Sequence, residues 1–161
     1  MQGCSHNCMG CQNPSTHDFK GGYLEDIEDV KHDLDELTGH NGITLSGGDP
    51  MFQVDASLEI AKYAKSIGLN VWCYTGYTFE QLLDIAKNNS NMKELLKNID
   101  VIVDGKFVMD LLSYEAIFRG SKNQRIIDVA SSLKKKKAVE VEKYKLKVNT
   151  RKKNSDDMIF I

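Results

Sequence analysis

The sequence has no long apolar run; its uninterrupted hydrophobic stretches are only a few residues each. A bilayer crossing needs about twenty consecutive apolar residues, so a membrane protein is not expected. No apolar segment of the signal-peptide kind precedes the first charges, which argues against export and for the cytoplasm. Internal repeats are missing too. So is strong net charge: 21 Lys and Arg oppose 23 Asp and Glu, for −2. At 161 residues, one domain with its own core is the natural outcome.

What is present is unevenly placed. Residues 131–161 carry ten Lys/Arg against four Asp/Glu, or +6, which leaves −8 for residues 1–130. The division expected is a body over 1–130 and a basic C-terminal extension over 131–161. Three of the four cysteines, Cys4, Cys8 and Cys11, fall within the first eleven residues. Without an export signal, such crowding points to metal or redox chemistry before structural disulfides.

The apolar positions Ile27, Val30, Leu34 and Leu37, followed by Gly39, predict a helix over 25–38. Ile43–Ser46 reads as a short strand entering the pair Gly47-Gly48. Leu58, Ala61, Ala64 and Ile67 predict a helix over 55–67, closed by Gly68, and 70–74 reads as a strand. Thr78 and Gln81 form a capping box for a helix over 79–88. Residues 101–103 and 125–129 read as two further strands. Strands alternating with helices predict parallel β/α units with right-handed crossovers. Four strands are too few for a closed eight-stranded barrel, so an open partial barrel or a small α/β sheet is expected. The four lysines at 134–137 precede Val139, Val141, Tyr144, Leu146 and Val148, which alternate with charges. This predicts a solvated appendage or an edge strand; a polybasic contact to an acidic partner or to nucleic acid is the competing reading.

Cys4-Ser-His-Asn-Cys8-Met-Gly-Cys11 has the spacing C-x3-C-x2-C. Three thiolates on so short a segment can converge on one metal centre. A 4Fe–4S cluster held by three cysteines keeps one iron open for an exogenous ligand. The spacing also leaves open a structural zinc that takes these cysteines with His6, His17 or Cys73. Gly47-Gly48-Asp49-Pro50 follows a strand, at the end where α/β folds place ligands. Adjacent glycines would let a ligand approach the backbone, and Asp49 would accept from a ligand ammonium; the competing reading is an ordinary strand-to-helix turn. Cys73 reads as a core thiol and Trp72 as a strand residue. His32 and His40 read as surface.

The cysteine spacing and the Gly-Gly-Asp-Pro turn together resemble the radical S-adenosylmethionine superfamily. Cys11-Gln-Asn-Pro-Ser-Thr16, Trp72-Cys-Tyr-Thr-Gly-Tyr-Thr78, Val103-Asp-Gly-Lys-Phe107 and Phe118-Arg-Gly-Ser-Lys-Asn-Gln-Arg-Ile-Ile-Asp128 are similar to the activating proteins of anaerobic ribonucleoside-triphosphate reductases. The resemblance spans about residues 2–130 and leaves the tail outside. It departs from the family at the start, where a preceding segment with a first strand is expected and Met1 stands three residues before Cys4; the domain is expected to be truncated there.

The resemblance implies an open partial (β/α) barrel of the radical S-adenosylmethionine type. It implies a 4Fe–4S cluster on Cys4, Cys8 and Cys11, with S-adenosylmethionine on the remaining iron. Gly47, Gly48 and Asp49 would receive the methionyl amino group, Gly10, Cys11 and Gln12 would meet the adenine, and Lys106 would face the carboxylate. Asn123 and Arg125 would line the cleft, and Tyr74, Thr75 and Asp104 would offer oxygens to a monovalent cation. No side chain would itself be catalytic, because the cluster and S-adenosylmethionine carry the chemistry. The implied partners are an anaerobic ribonucleoside-triphosphate reductase, whose glycine would lose a hydrogen, and a low-potential donor such as flavodoxin or ferredoxin. Neither nucleic acid nor membrane is implied. A pyruvate formate-lyase activating enzyme, a radical enzyme acting on a free metabolite and a zinc-stabilised binding module are the alternatives.

Overall fold

The computed structural model describes residues 1–146; the position Val148 and the rest of 147–161 lie outside the described residues. The chain forms a mixed α/β structure, with one four-stranded sheet and five α-helices among the described residues. The strands β1 (Gly42–Leu45), β2 (Asn70–Tyr74), β3 (Val101–Asp104) and β4 (Arg125–Asp128) lie side by side in chain order, and the sheet is open. The helices are α1 (Ile27–Glu36), α2 (Val54–Ser66), α3 (Phe79–Ala86), α4 (Ser90–Lys97) and α5 (Val129–Lys135). None is long and apolar enough to cross a membrane.

Side chains alternate across each strand and so sort into two faces. In register, Leu45, Cys73, Ile102 and Ile127 form one row of the helix-facing side. They pack in a single core with Leu58 and Ala61 of α2, Phe79 and Leu82 of α3, Met92 and Leu95 of α4, and Val129. The opposite face carries Trp72 and Tyr74. A loop covers it: Phe118 and Tyr144 stack edge-on against Trp72, at 5.4 and 6.0 Å between ring centroids.

β1, β2 and β3 are parallel, but β4 runs antiparallel to β3, against the expectation of β/α units throughout. The cause lies in the connection. A parallel neighbour needs a crossover that returns the chain to the starting end of the sheet, usually a helix. Residues 105–124 contain only a short 3-10 turn and a bridge between Leu112 and Ser121, so the chain turns back at the carboxyl end of β3. The helix expected over 79–88 is α3, and a further helix, α4, not expected from the sequence, follows it. α3 begins at the capping box on Thr78, as predicted, and α4 restarts at Asn89, whose side chain accepts from the Met92 N–H. α5 was also unforeseen.

Residues 131–146 belong to the packed body. The Asp128 N–H donates to Val139 O and the Val141 N–H to Ile126 O, both at 2.8 Å, so the segment after α5 runs along the outer edge of β4. Arg119 donates to Tyr144 O at 2.6 Å. A solvated appendage does not describe this stretch; its edge-strand character does. His40 is half-buried, with both ring nitrogens inside and unpaired among the described residues, which corrects its reading as a surface residue.

Candidate functional site

A cavity of about 180 Å³ opens at the carboxyl ends of the parallel strands, the position where such sheets collect ligands. β1 delivers Ser46, Gly47, Gly48 and Asp49; β2 delivers Tyr74, Thr75 and Gly76; β3 delivers Gly105 and Phe107. The long connection before β4 adds Gly120 and Gln124. The N-terminal segment closes the other side with Cys4, His6, Cys8, Cys11, Gln12, Asn13 and His17.

Local bonds shape the cysteine segment. Its two ends meet, the Gly3 N–H donating to Thr16 O at 2.9 Å and the Cys4 N–H to His17 O at 3.1 Å. Inside, the Cys11 N–H donates to Cys8 O, and the Asn13 N–H points at the Cys11 sulfur at 3.4 Å. All three thiols are free and partly exposed. Burial pushes the Cys4 thiol up from its usual range, with the Asp49 charge adding to the rise, so a bound metal would supply the positive charge its thiolate needs. Three unpaired thiols on one cavity wall fit the ligand demand of an iron–sulfur cluster.

The glycine pair serves a different neighbour from the one expected. A Cβ on Gly48 would stand 2.4 Å from Gly3 O, and one on Gly47 would stand 2.4 Å from Met1 O. The chain's own first residues make this close approach. The Gly48 N–H donates to Met1 O at 2.8 Å and the Asp49 N–H to Gly3 O at 3.0 Å. Both glycines nevertheless face the cavity.

Asp49 is not a free acceptor for a ligand ammonium. Its side chain is 2% exposed and takes four donors: the Met51 N–H on Oδ1, and His6 Nε2, the Thr75 hydroxyl and the Gly76 N–H on Oδ2, at 2.7 to 2.9 Å. Three donors crowd Oδ2 and one takes Oδ1, so the carboxylate is engaged chiefly within the protein. Neither do the cation oxygens converge. Asp104 accepts from the Phe79 N–H and from Arg125, Thr75 donates to Asp49, and Tyr74 donates to Phe118 O. The Arg125 guanidinium supplies positive charge at Asp104, so these three oxygens already have partners within the protein. Arg125 also pairs with Glu80 at 2.7 Å and lies outside the cavity wall.

Of the other expected residues, Cys11 and Gln12 reach the cavity. Gly10 packs instead toward Met109, whose methyl a Cβ would meet at 2.1 Å. Lys106 is exposed, with its ammonium 3.5 Å from His6 O, and Asn123 donates to Lys106 O. Sequence reasoning named His6 and His17 only as alternative zinc ligands and missed Asn13, Ser46, Gly76, Gly105, Phe107, Gly120 and Gln124 as wall residues. For His6 a signal existed, a histidine midway between the first two cysteines. The others arrive by tertiary folding.

Residues 1–127 match the family described as a 4Fe-4S single cluster domain. Proteins named anaerobic ribonucleoside-triphosphate reductase-activating protein resemble the chain over most of its length. One from Salmonella typhi is 37% identical over 132 residues, covering 77% of this chain and 82% of the relative. One from Escherichia coli (strain K12) is 37% identical over 133 residues, with the same coverage. The protein of that name from Enterobacteria phage T4 is 35% identical over 137 residues, covering 78% and 79%. With relatives of this identity and coverage, and a family match over residues 1–127 that takes in both the cysteine segment and the strand rim, the chain belongs to the family of anaerobic ribonucleoside-triphosphate reductase-activating proteins and carries a 4Fe-4S single cluster domain.

Proposed function

We propose that this protein is a cytoplasmic radical S-adenosylmethionine activase that installs a glycyl radical on an anaerobic ribonucleoside-triphosphate reductase. One observation carries the reading: three free cysteines share a single cavity with Gly47 and Gly48 at the carboxyl rim of the three parallel strands of an open sheet. Cys4, Cys8 and Cys11 would hold the cluster. A reduced cluster held by these thiolates would supply the single electron for reductive cleavage of S-adenosylmethionine, the chemistry needed to take a hydrogen from the partner's glycine.

The chain's own contribution is placement. The carbonyl-bearing turn at Gly47–Gly48 lies beside the cysteines for the methionyl end, and Gln12 and Asn13 continue the wall for the adenosyl end. The aromatic and apolar lining, Tyr74 and Phe107 among it, limits water around the reacting atoms. An open sheet leaves room for a loop of another protein to enter.

The test combines the anaerobically reconstituted protein, a reductant, S-adenosylmethionine and the cognate reductase. A glycyl signal should appear by electron paramagnetic resonance on the reductase, and deuterium placed on its glycine should appear in 5′-deoxyadenosine. Absence of that signal, with a small metabolite consumed instead, would refute the reading.

A further inference from the structure

His6 stands two residues after Cys4 and two before Cys8, and its side chain leaves the segment for the sheet. Its Nε2 lies 2.7 Å from Asp49 Oδ2, with only 8% of the side chain exposed. A carboxylate only accepts, so the imidazole carries a proton on Nε2. The socket is assembled from separate parts of the chain. The Tyr77 ring meets the imidazole edge-on at 4.7 Å, and the Phe52 ring lies tilted at 5.5 Å. Gly76 makes the floor: a Cβ there would fall 2.4 Å from the His6 ring. Asp49 is itself held by Met51, Thr75 and Gly76, so the acceptor is fixed before His6 arrives. This is the short, part-buried side-chain hydrogen bond between residues 4–11 and the strand rim; the Lys106 ammonium adds a longer, exposed one to His6 O at 3.5 Å.

We infer that His6 is the positioning residue of the cluster-binding segment, setting Cys4 and Cys8 over the rim through its bond to Asp49. Asp49 thus acts on the cluster through His6. The inference rests on the reading that Cys4, Cys8 and Cys11 hold the cluster.

The experiment measures how fast the anaerobically reconstituted protein loses iron to a chelator, together with the paramagnetic spectrum of its reduced cluster. His6→Phe keeps the ring packing and removes the donor. It should lose iron about tenfold to a hundredfold faster, the range for one hydrogen bond to a charged group. His6→Gln places an amide donor near the Nε2 position and should restore the rate to within about threefold and the spectrum to its wild-type form. Both apoproteins should still unfold cooperatively, monitored through Trp72, with His6→Phe at a lower midpoint than His6→Gln. Should His6→Phe fail to fold, His6→Asn takes its place, because its shorter amide stops short of Asp49. Iron retention by His6→Phe at the wild-type rate, or loss by His6→Gln as fast as by His6→Phe, overturns the inference. Cys8→Ala separates the two failures: if it keeps a normal cluster, the ligand reading itself is wrong.

Discussion

Removing residues 131–161 should unfold the protein rather than trim a basic tail. The deletion takes away the Val139 carbonyl and the Val141 N–H that bond the edge of β4. It also removes Ser132, whose hydroxyl donates to Asp128 O and accepts the Val139 N–H, and the carbonyl of Tyr144 that Arg119 holds. At about 0.5–1.5 kcal/mol per bond, these five losses reach roughly 2.5–7.5 kcal/mol. Leu133 and Ala138 pack against the core, and their loss adds about 1–2 kcal/mol. Tyr144 makes two edge-on aromatic contacts, with Trp72 and with Phe118, which together with its half-buried ring come to about 2–3 kcal/mol. Such a sum rivals the ~5–15 kcal/mol that holds a domain together. Trp72 is the sole tryptophan and touches Tyr144, so its emission reports this layer directly. Urea titrations should show no cooperative transition for the deletion. Tyr144→Ala should keep a transition that is weaker by about 2–3 kcal/mol. A deleted protein with wild-type midpoint and emission would refute the reasoning.

Two further outcomes follow from individual side chains. Hydrogen bonds from Arg125 hold the Glu80 carboxyl below its ordinary value, so the pair's stabilisation is complete above the unfolded carboxyl pKa of about 4.3 and fades as pH falls through the folded one. Glu80 is half-exposed, so Glu80→Gln should cost only about 0.2–1 kcal/mol at pH 7 and nothing near pH 3; equal losses at both pH values in denaturant titrations would contradict this. Cys73 is fully buried, and burial pushes its thiol well up. Cys73→Ala should therefore retain wild-type iron and lose about 1–2 kcal/mol of stability, whereas iron loss like that of Cys8→Ala would make it part of the metal site.

The strands were legible because each is a short apolar run bounded by turn residues, and 70–74 was placed without error. The capping box at Thr78 was legible for the same local reason. What escaped was set at a distance. The direction of β4 depends on the absence of a helix between residues 105 and 124, not on any pattern within β4. α4 escaped because only three residues, Lys87 to Asn89, separate it from α3, and Asn89, a residue common in turns, serves there as the N-cap of the next helix. In the site, the cysteine spacing was local and visible. The engagement of Asp49 was not, since its donors come from residues 6, 51, 75 and 76.

That dispersal bears on how the site is held. The cysteine segment joins the rim through two backbone bonds, Gly48 to Met1 and Asp49 to Gly3, and through His6. Three such bonds contribute about 2–6 kcal/mol. Fixing the eight backbones of residues 4–11 costs about 8–16 kcal/mol, which the anchors offset only in part. The remainder must come from packing and from metal ligation, because metal binding and ordering share one free energy. The anchors have a narrower task than holding the segment unaided. They choose, among the conformations a cluster would accept, the one in which its three cysteines face the Gly47–Gly48 turn, so that a ligand touching both meets a wall already assembled.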